Sequence, residues 1–310
     1  NFFRPEFSSR PRPLPDRMRI TNNMVSRNSL ASLQRSLKAV NEAQNRATNG
    51  LRVEKASDDP SASSSIMASG SSIRAIDQYK RNINSARARL DREESILGSV
   101  SQMLERAKEL GVQQASGTAD AQTRLTAKAE VDQLIQAVVQ LGNTQHEGEY
   151  LFGGDQSNVA PFNATIPPFS AAPPTGTRRT EISSALSVRT NHNGTEVFLT
   201  TGVLAALDEL STALGANSQT GVATSLFSLD AAHNSTQVLV GETGAASQQL
   251  DVATSNLDAL DTSLRTFKSQ LQDADIEKAV SELVGRQTAY QAAMLATSRV
   301  MSLNLADYLR

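Results

Sequence analysis

Residues Gly50–Gly70 read GLRVEKASDDPSASSSIMASG, with Glu54, Asp58, Asp59 and Pro60 set among small polar residues and long apolar repeats on either side. If this stretch floors an active site, the chain is an enzyme; if it joins two helices, the chain is a string of helical rods. Asp58 and Asp59 could be paired acids, and Ser61 to Ser65 could supply a nucleophile. Adjacent residues point to different faces, however, and a serine nucleophile needs a base that is itself oriented by a third group. The histidines, His146, His192 and His233, are scattered and form no local pattern with the serines. Gly50 instead reads as the stop of one helix, Asp58 or Asp59 as the N-cap of the next, and Pro60 as a residue of its first turn. The stretch is a joint.

The flanking repeats agree. From Leu30, positions Leu33, Leu37, Val40, Gln44, Ala47 and Leu51 keep a 3-4 spacing that draws one stripe along a helix. A longer stripe follows through Ile76, Tyr79, Ile83, Ala86, Leu90, Leu97, Val100, Leu104 and Ala107, interrupted only by Glu93. A third covers Ala127, Val131, Leu134, Val138 and Leu141, with Gly117 as a preceding stop and Thr118 or Asp120 as a cap. Helical periodicity returns at Val203–Leu214 and from Leu226 onward. It is strongest through Leu250, Ala253, Leu257, Leu260, Leu264, Phe267 and Leu271. The last stripe is Ile276, Val280, Leu283, Tyr290, Met294 and Met301.

Between Gly148 and about Thr201 the character changes. Pro161, Pro167, Pro168, Pro173 and Pro174 exclude long helices, and TEISSALSVRT and TEVFLTT read as short strands joined by a hairpin turn at Asn191–Gly194. The expected organisation is therefore a disordered or non-native extension over 1–17 and paired terminal helices over 18–51 and 277–310. Between these lie a central helical domain over 52–147 and 202–276 and a small β-rich insertion over 148–201. Each terminal stripe is narrow and cannot bury itself alone, so the two chain ends are expected to pair as one stalk. The fold class is mainly α and elongated, built on long coiled-coil helices.

Composition removes whole classes of function. The 310 residues contain no cysteine, which excludes disulfides, thiolate metal sites and thiol catalysis. Tryptophan is absent and aromatics are 4%, which suits narrow helical seams better than a thick round core. A formal charge of −2 offers no general attraction for nucleic acid or an anionic membrane. No apolar run approaches the roughly 18 residues that would span a bilayer, so membrane insertion is not expected. No histidine stands in a ligand pattern; His146 with Glu149 comes nearest, and each histidine reads as a solvent-exposed residue near a helix end. Neither catalytic residues nor cofactors nor metals are expected.

Four motifs in order, MRITNNMVSRNSLASLQ at Met18, NGLRVEKASDDPSAS at Asn49, GEYLFGG at Gly148 followed by APF, and SRVMSLNLADYLR at the end, resemble bacterial flagellin-family proteins. The likeness covers roughly 18–155 and 200–310. The start and the NGLR…DDP joint are shared across that family. EYLFGG with Pro161-Phe162, the short insertion and the LADYLR terminus resemble its hook–filament junction subunits. The resemblance implies a structural subunit exported unfolded through the flagellum-specific type III channel, with an export chaperone at its C-terminal helix. Its partners would be the other hook–filament junction protein, flagellin, and like subunits in a ring. On that basis Leu30, Leu33, Leu37 and Val40 would pair with Met294, Met301, Leu305 and Leu309 to build the stalk. Residues 50–60, with Gly50, Asp58, Asp59 and Pro60, and about 272–278 would be joints at which the stalk reorients. Flagellin itself, the bulk filament subunit, is the alternative within the family. An unrelated coiled-coil scaffold and an enzyme are the alternatives outside it.

Overall fold

A computed structural model describes residues 22–117, 119–163 and 174–308. The extension 1–17, the candidate cap Thr118, the prolines at 167, 168 and 173, and Leu309 lie outside the described residues. The chain is mainly helical, with α1 (Asn22–Asn49), α2 (Pro60–Gln114), α3 (Ala121–Gly142), α4 (Val203–Gly215), α5 (Gln219–Gln272) and α6 (Ile276–Tyr308). Strands β1 (Gln145–His146), β2 (Glu149–Tyr150), β3 (Arg179–Glu181) and β4 (Ser187–Arg189) fall between α3 and α4. The chain divides into two compact units, one made of residues 1–68 and 267–310 and the other of 69–266.

In the second unit α2 carries the seam that the heptad spacing predicts. Ile76, Ile83, Ala86, Leu90, Leu97, Val100, Leu104 and Ala107 are all buried along it. Leu, Ile and Val recur there at every third or fourth residue, so one face must be covered, and α5 covers it. The two helices run antiparallel, and ion pairs Lys108–Asp230, Arg87–Asp251 and Lys80–Asp258 edge the seam at a constant register. Helices α3 and α4 pack on each other. Their Val131, Val138, Leu207, Leu210 and Leu214 complete a core with Leu97, Val100 and Leu104. Asp120 caps α3, accepting a hydrogen bond from the Thr123 amide at 2.7 Å.

The insertion is rooted by aromatic residues. Phe198 takes Phe152 and Phe162 edge-on, with ring centroids 5.2 and 5.1 Å away. A Cβ on Gly142 would lie 2.7 Å from the Phe162 ring, so α3 ends against that ring without a side chain between them. Strands β1 and β2 form one antiparallel hairpin, turned at Glu147 and Gly148, both with positive φ. Strands β3 and β4 form a second, with its turn at Ile182–Leu186. That corrects the expected hairpin at Asn191–Gly194. The segment TEVFLT (Thr195–Thr200) is not a strand but a π-helical stretch. The reason is a reciprocal cap: the Asn193 side chain accepts from the Glu196 amide at 2.9 Å, and the Glu196 carboxylate accepts from the Asn193 amide at 3.2 Å. Asn-x-x-Glu is a helix-start signal, and here it outweighs the β propensity of Val197 and Phe198.

In the first unit α1 packs against α6. The direction is antiparallel, since Arg46 pairs with Glu282 and Gly50 lies beside Ala274.

Candidate functional site

The first unit holds both features singled out from the sequence, the terminal helix pair and the joint. The covered face of α1 runs through Ser29, Leu33, Ser36, Val40, Ala43 and Ala47. The covered face of α6 runs through Ala279, Leu283, Tyr290, Ala293 and Thr297. Both keep the 3-4 period, but their phase differs from the stripe of largest residues. Leu33, Val40, Leu283 and Tyr290 belong to both readings. Leu30 (48% exposed), Leu37 (43%), Val280 and Met294 (47%) stand one residue beyond the small members of the seam and are exposed. Helix α6 runs on through Met301 and Leu305.

Small residues set this phase. Ala43 and Ala279 are the buried apolar residues among those described on the two helices, and their size lets the backbones approach closely. In heptad terms Leu33, Val40, Leu283 and Tyr290 are at a; Ser36, Ala43, Ala279 and Ala293 are at d. In an antiparallel pair the two e flanks lie on one side and the two g flanks on the other. Arg46 and Glu282 are both at g, and they meet at 3.5 Å. Leu30, Leu37, Val280 and Met294 are all at e. The register set by Arg46–Glu282 puts Met294 level with the Leu30–Leu37 stretch, so that end of the flank is an uncovered apolar strip, with Val280 farther along the same flank beyond Gln44 and Gln287.

The joint is a clasp between two connectors. Gly50 ends α1 with φ +68°, its amide bonded to the Arg46 carbonyl at 3.0 Å, a left-handed stop that a side chain would strain. Leu51 then bridges Asp273, the Arg52 and Val53 amides donate to the Gln272 carbonyl at 2.7 and 3.2 Å, and the Ala274 amide donates back to the Gly50 carbonyl at 2.8 Å. The Arg52 guanidinium donates to the Leu271 carbonyl at 2.6 Å and reaches Asp59 at 3.2 Å. Leu271 and Gln272 are the last carbonyls of α5, which the helix cannot satisfy itself, and a cation there also suits the helix dipole. Val53 is buried beneath the clasp.

The two aspartates divide the work. Asp58 accepts from the Lys55 and Glu54 amides at 2.9 and 3.2 Å and folds the connector; those bonds lower its pKa. Asp59 is the cap of α2. Its Oδ1 accepts from the Ala62 amide at 3.0 Å and the Ser61 hydroxyl at 2.8 Å, with Pro60 as the first helical residue. The Ala62 bond, then Ser61 and Arg52, bring the Asp59 pKa down to about 2. Both carboxylates are thus held ionised by local donors and share no proton. Asp275 caps α6 in the same way, accepting from the Lys278 amide at 3.2 Å.

The reading of the histidines as exposed residues near helix ends fails throughout: His146 is half-buried in β1, and His233 is half-buried within α5, its Nδ1 3.3 Å from the Ser101 hydroxyl. His192 is buried, not an exposed residue near a helix end. Its Nδ1 lies 2.5 Å from Glu93 Oε1 and its Nε2 3.1 Å from Glu242 Oε2. The signal was Glu93, the one charged residue at a core position of the longest stripe: a carboxylate there requires a partner. Among the described residues no group of three His, Cys, Asp or Glu could hold a metal ion, and no helix is long and apolar enough to cross a membrane.

Residues 20–157 match the model of the bacterial flagellin N-terminal helical region, and residues 226–309 that of the bacterial flagellin C-terminal helical region. Flagellin FlaB1 of Treponema pallidum is 24% identical over 301 residues, covering 94% of this chain and 100% of that protein. Flagellar hook-associated protein 3 of Escherichia coli is 23% identical over 314 residues, covering 93% and 98%. A solved structure of a flagellar hook-associated protein from Vibrio parahaemolyticus superposes on 70% of this chain and 100% of its own length. Its TM-score is 0.63 at 22% identity, a likeness of fold.

Proposed function

Because the chain belongs to the bacterial flagellin family, and is thus a structural component of the flagellum rather than an enzyme, we propose that it forms the hook–filament junction. In that role it sits between the other junction protein on the hook side and flagellin on the filament side, with like subunits beside it in a ring. The observation that carries the reading is the uncovered apolar strip of Leu30, Leu37 and Met294, with Val280 farther along the same flank of the α1–α6 pair. A two-helix seam whose larger members, Leu33, Val40, Leu283 and Tyr290, are only half-buried among Ala, Ser and Thr buries little apolar surface, and neighbours that cover the strip supply the rest. The terminal pair, with Leu33 and Val40 inside it, is accordingly the assembly element, continued along α6 through Met301 and Leu305. Residues 69–266 are the independently packed body. The joint at Gly50, Asp58, Asp59 and Pro60 belongs to the same unit as the terminal pair and follows α1 directly. Export through the type III channel, escorted by a chaperone at α6, completes the proposal.

The family's filament subunit is the second reading, since flagellins match this chain at similar identity. The junction is favoured by GEYLFGG with Pro161-Phe162, the motif whose Leu151, Phe152 and Phe162 root the compact insertion. The test is electron microscopy of the purified chain, alone and with isolated hooks bearing the first junction protein. Decoration confined to hook ends is the expected result. Long filaments grown from this chain alone would make it a filament subunit.

A further inference from the structure

Within residues 69–266 the apolar core is not continuous. One cluster contains Ile96 and Leu97 of α2 with Val197 and Phe198, and Leu239 of α5 packs against it. A second contains Ile83 and Leu90 of α2, Ile182 and Val188 of the β3–β4 hairpin, and Leu250 of α5. What separates them is polar on all three strands of chain. Glu93, 0% exposed, stands between Leu90 and Ile96; Glu242 stands between Leu239 and Leu250; and the buried crossover Thr190–Asn193 stands between Val188 and Val197. His192 of that crossover ties the layer together, its ring bridging the two carboxylates and its amide 3.3 Å from Glu93 Oε1.

Both ring nitrogens face carboxylate oxygens. A neutral imidazole donates at one nitrogen only, whereas an imidazolium donates at both, so this geometry matches the protonated ring. A carboxylate as deeply buried as Glu93 also needs a positive partner, and His192 is the one bonded to it. The other charges around the ring are Arg189 of β4, paired with Glu196 of the π-helical stretch, and Arg89, one turn before Glu93 on α2 and bonded to the Leu151 carbonyl.

We propose that His192 is a proton-dependent latch: protonated, it fastens the 190–193 crossover to α2 and α5 and couples the two apolar clusters, and deprotonated, it lets this polar layer open. Burial of the ring works against its charge and Arg189 adds to that, but the bonds to Glu93 and Glu242 and the charge of Glu93 outweigh both and raise its pKa above the ordinary histidine value. A raised pKa in the folded state means the latch contributes in full below about 6.5 and is lost as pH rises through the raised value. The device thus opens on the alkaline side.

The test uses the full chain. The His192 ring is titrated by NMR, and amide exchange at residues 190–193 is followed from pH 6 to 9 after correction for the intrinsic pH dependence of exchange. The expected result is titration above 6.5 and roughly tenfold loss of protection per unit of pKa elevation. Glu93→Gln removes the buried charge at constant shape and should flatten that pH dependence; Glu242→Gln, altering the exposed partner, should lower the His192 titration without unfolding the chain. Titration of His192 at or below 6.5 would overturn the latch, and so would unchanged protection across a titration above it.

Discussion

The α1–α6 pair and the helical body obey the same heptad period, yet they use it in opposite ways. In the body, the large residues of α2 point inward: Ile83, Leu90, Leu97, Val100 and Leu104 are all at or below 1% exposure. In the terminal pair the seam alternates small residues with half-buried Leu33, Val40, Leu283 and Tyr290, and Leu30, Leu37 and Met294 are left on the flank. A period therefore says that a face will be covered, and residue size in the seam says by how much and by whom. The seam of α2 is covered within the chain; on the proposal above, the flank of the terminal pair is covered by neighbouring subunits.

The most damaging way to probe this contrast is Leu37→Asp with Met294→Asp. Both side chains are exposed, so the isolated chain should unfold at an unchanged denaturant midpoint while decoration of hook ends is lost in micrographs. A double variant that still assembles would remove the strip from the mechanism. Next comes Phe198→Ala in the body, which empties the centre of the aromatic trio and should cost about 3–5 kcal/mol in denaturant unfolding. By contrast Leu37→Ala should fall within about 0.5 kcal/mol of wild type. Equal costs at the two sites would erase the distinction between the regions.

Smaller effects probe the clasp within the first unit. Gly50→Ala forces a side chain into φ +68° and should cost about 1–2 kcal/mol. It should appear as faster amide exchange at Arg52, Val53 and Ala274, the donors of the clasp, and not in α3 or α4. The smallest effect is acid fraying of the first turn of α2. Asp59 has a folded pKa of about 2, below the usual carboxylate value, so its capping contribution is present above about 3.8 and fades as pH falls towards 2. Circular dichroism of the wild type against Asp59→Ala over that interval should converge at the acid end; divergence there would assign the cap to another group.

Much of this was legible from the chain. Asp59-Pro60 and Gly50 announced a cap and a stop through side-chain and backbone chemistry that acts within a few residues, and α2 announced its phase because its large residues fill the seam. The phase of α1 was not legible in the same way, because a stripe drawn through Leu30 and Leu37 passes over Ser36 and Ala43, whose smallness is what permits close approach. TEVFLT shows local propensity losing to the neighbouring Asn193–Glu196 cap. The clasp left no trace in composition, since its bonds to Gln272 and Gly50 are made by backbone atoms that every residue carries. His192 was hidden for a related reason: Glu93 declared the need for a partner, but only the fold reveals which of the distant candidates meets it.

Arg46 and Glu282 meet across 236 positions of chain, and the other contacts of α1 with α6 join segments just as far apart, one near the start of the chain and one near its end. A chain delivered or synthesised from its N-terminus therefore produces α1 long before α6 exists, and α1 must wait unpartnered until the last helix arrives. The body can close earlier, since α2 finds α5 first. If the terminal pair is the assembly element proposed above, truncated products would carry the body without it, and the pair would act as a receipt for a complete chain: only a molecule that has been finished could be built in.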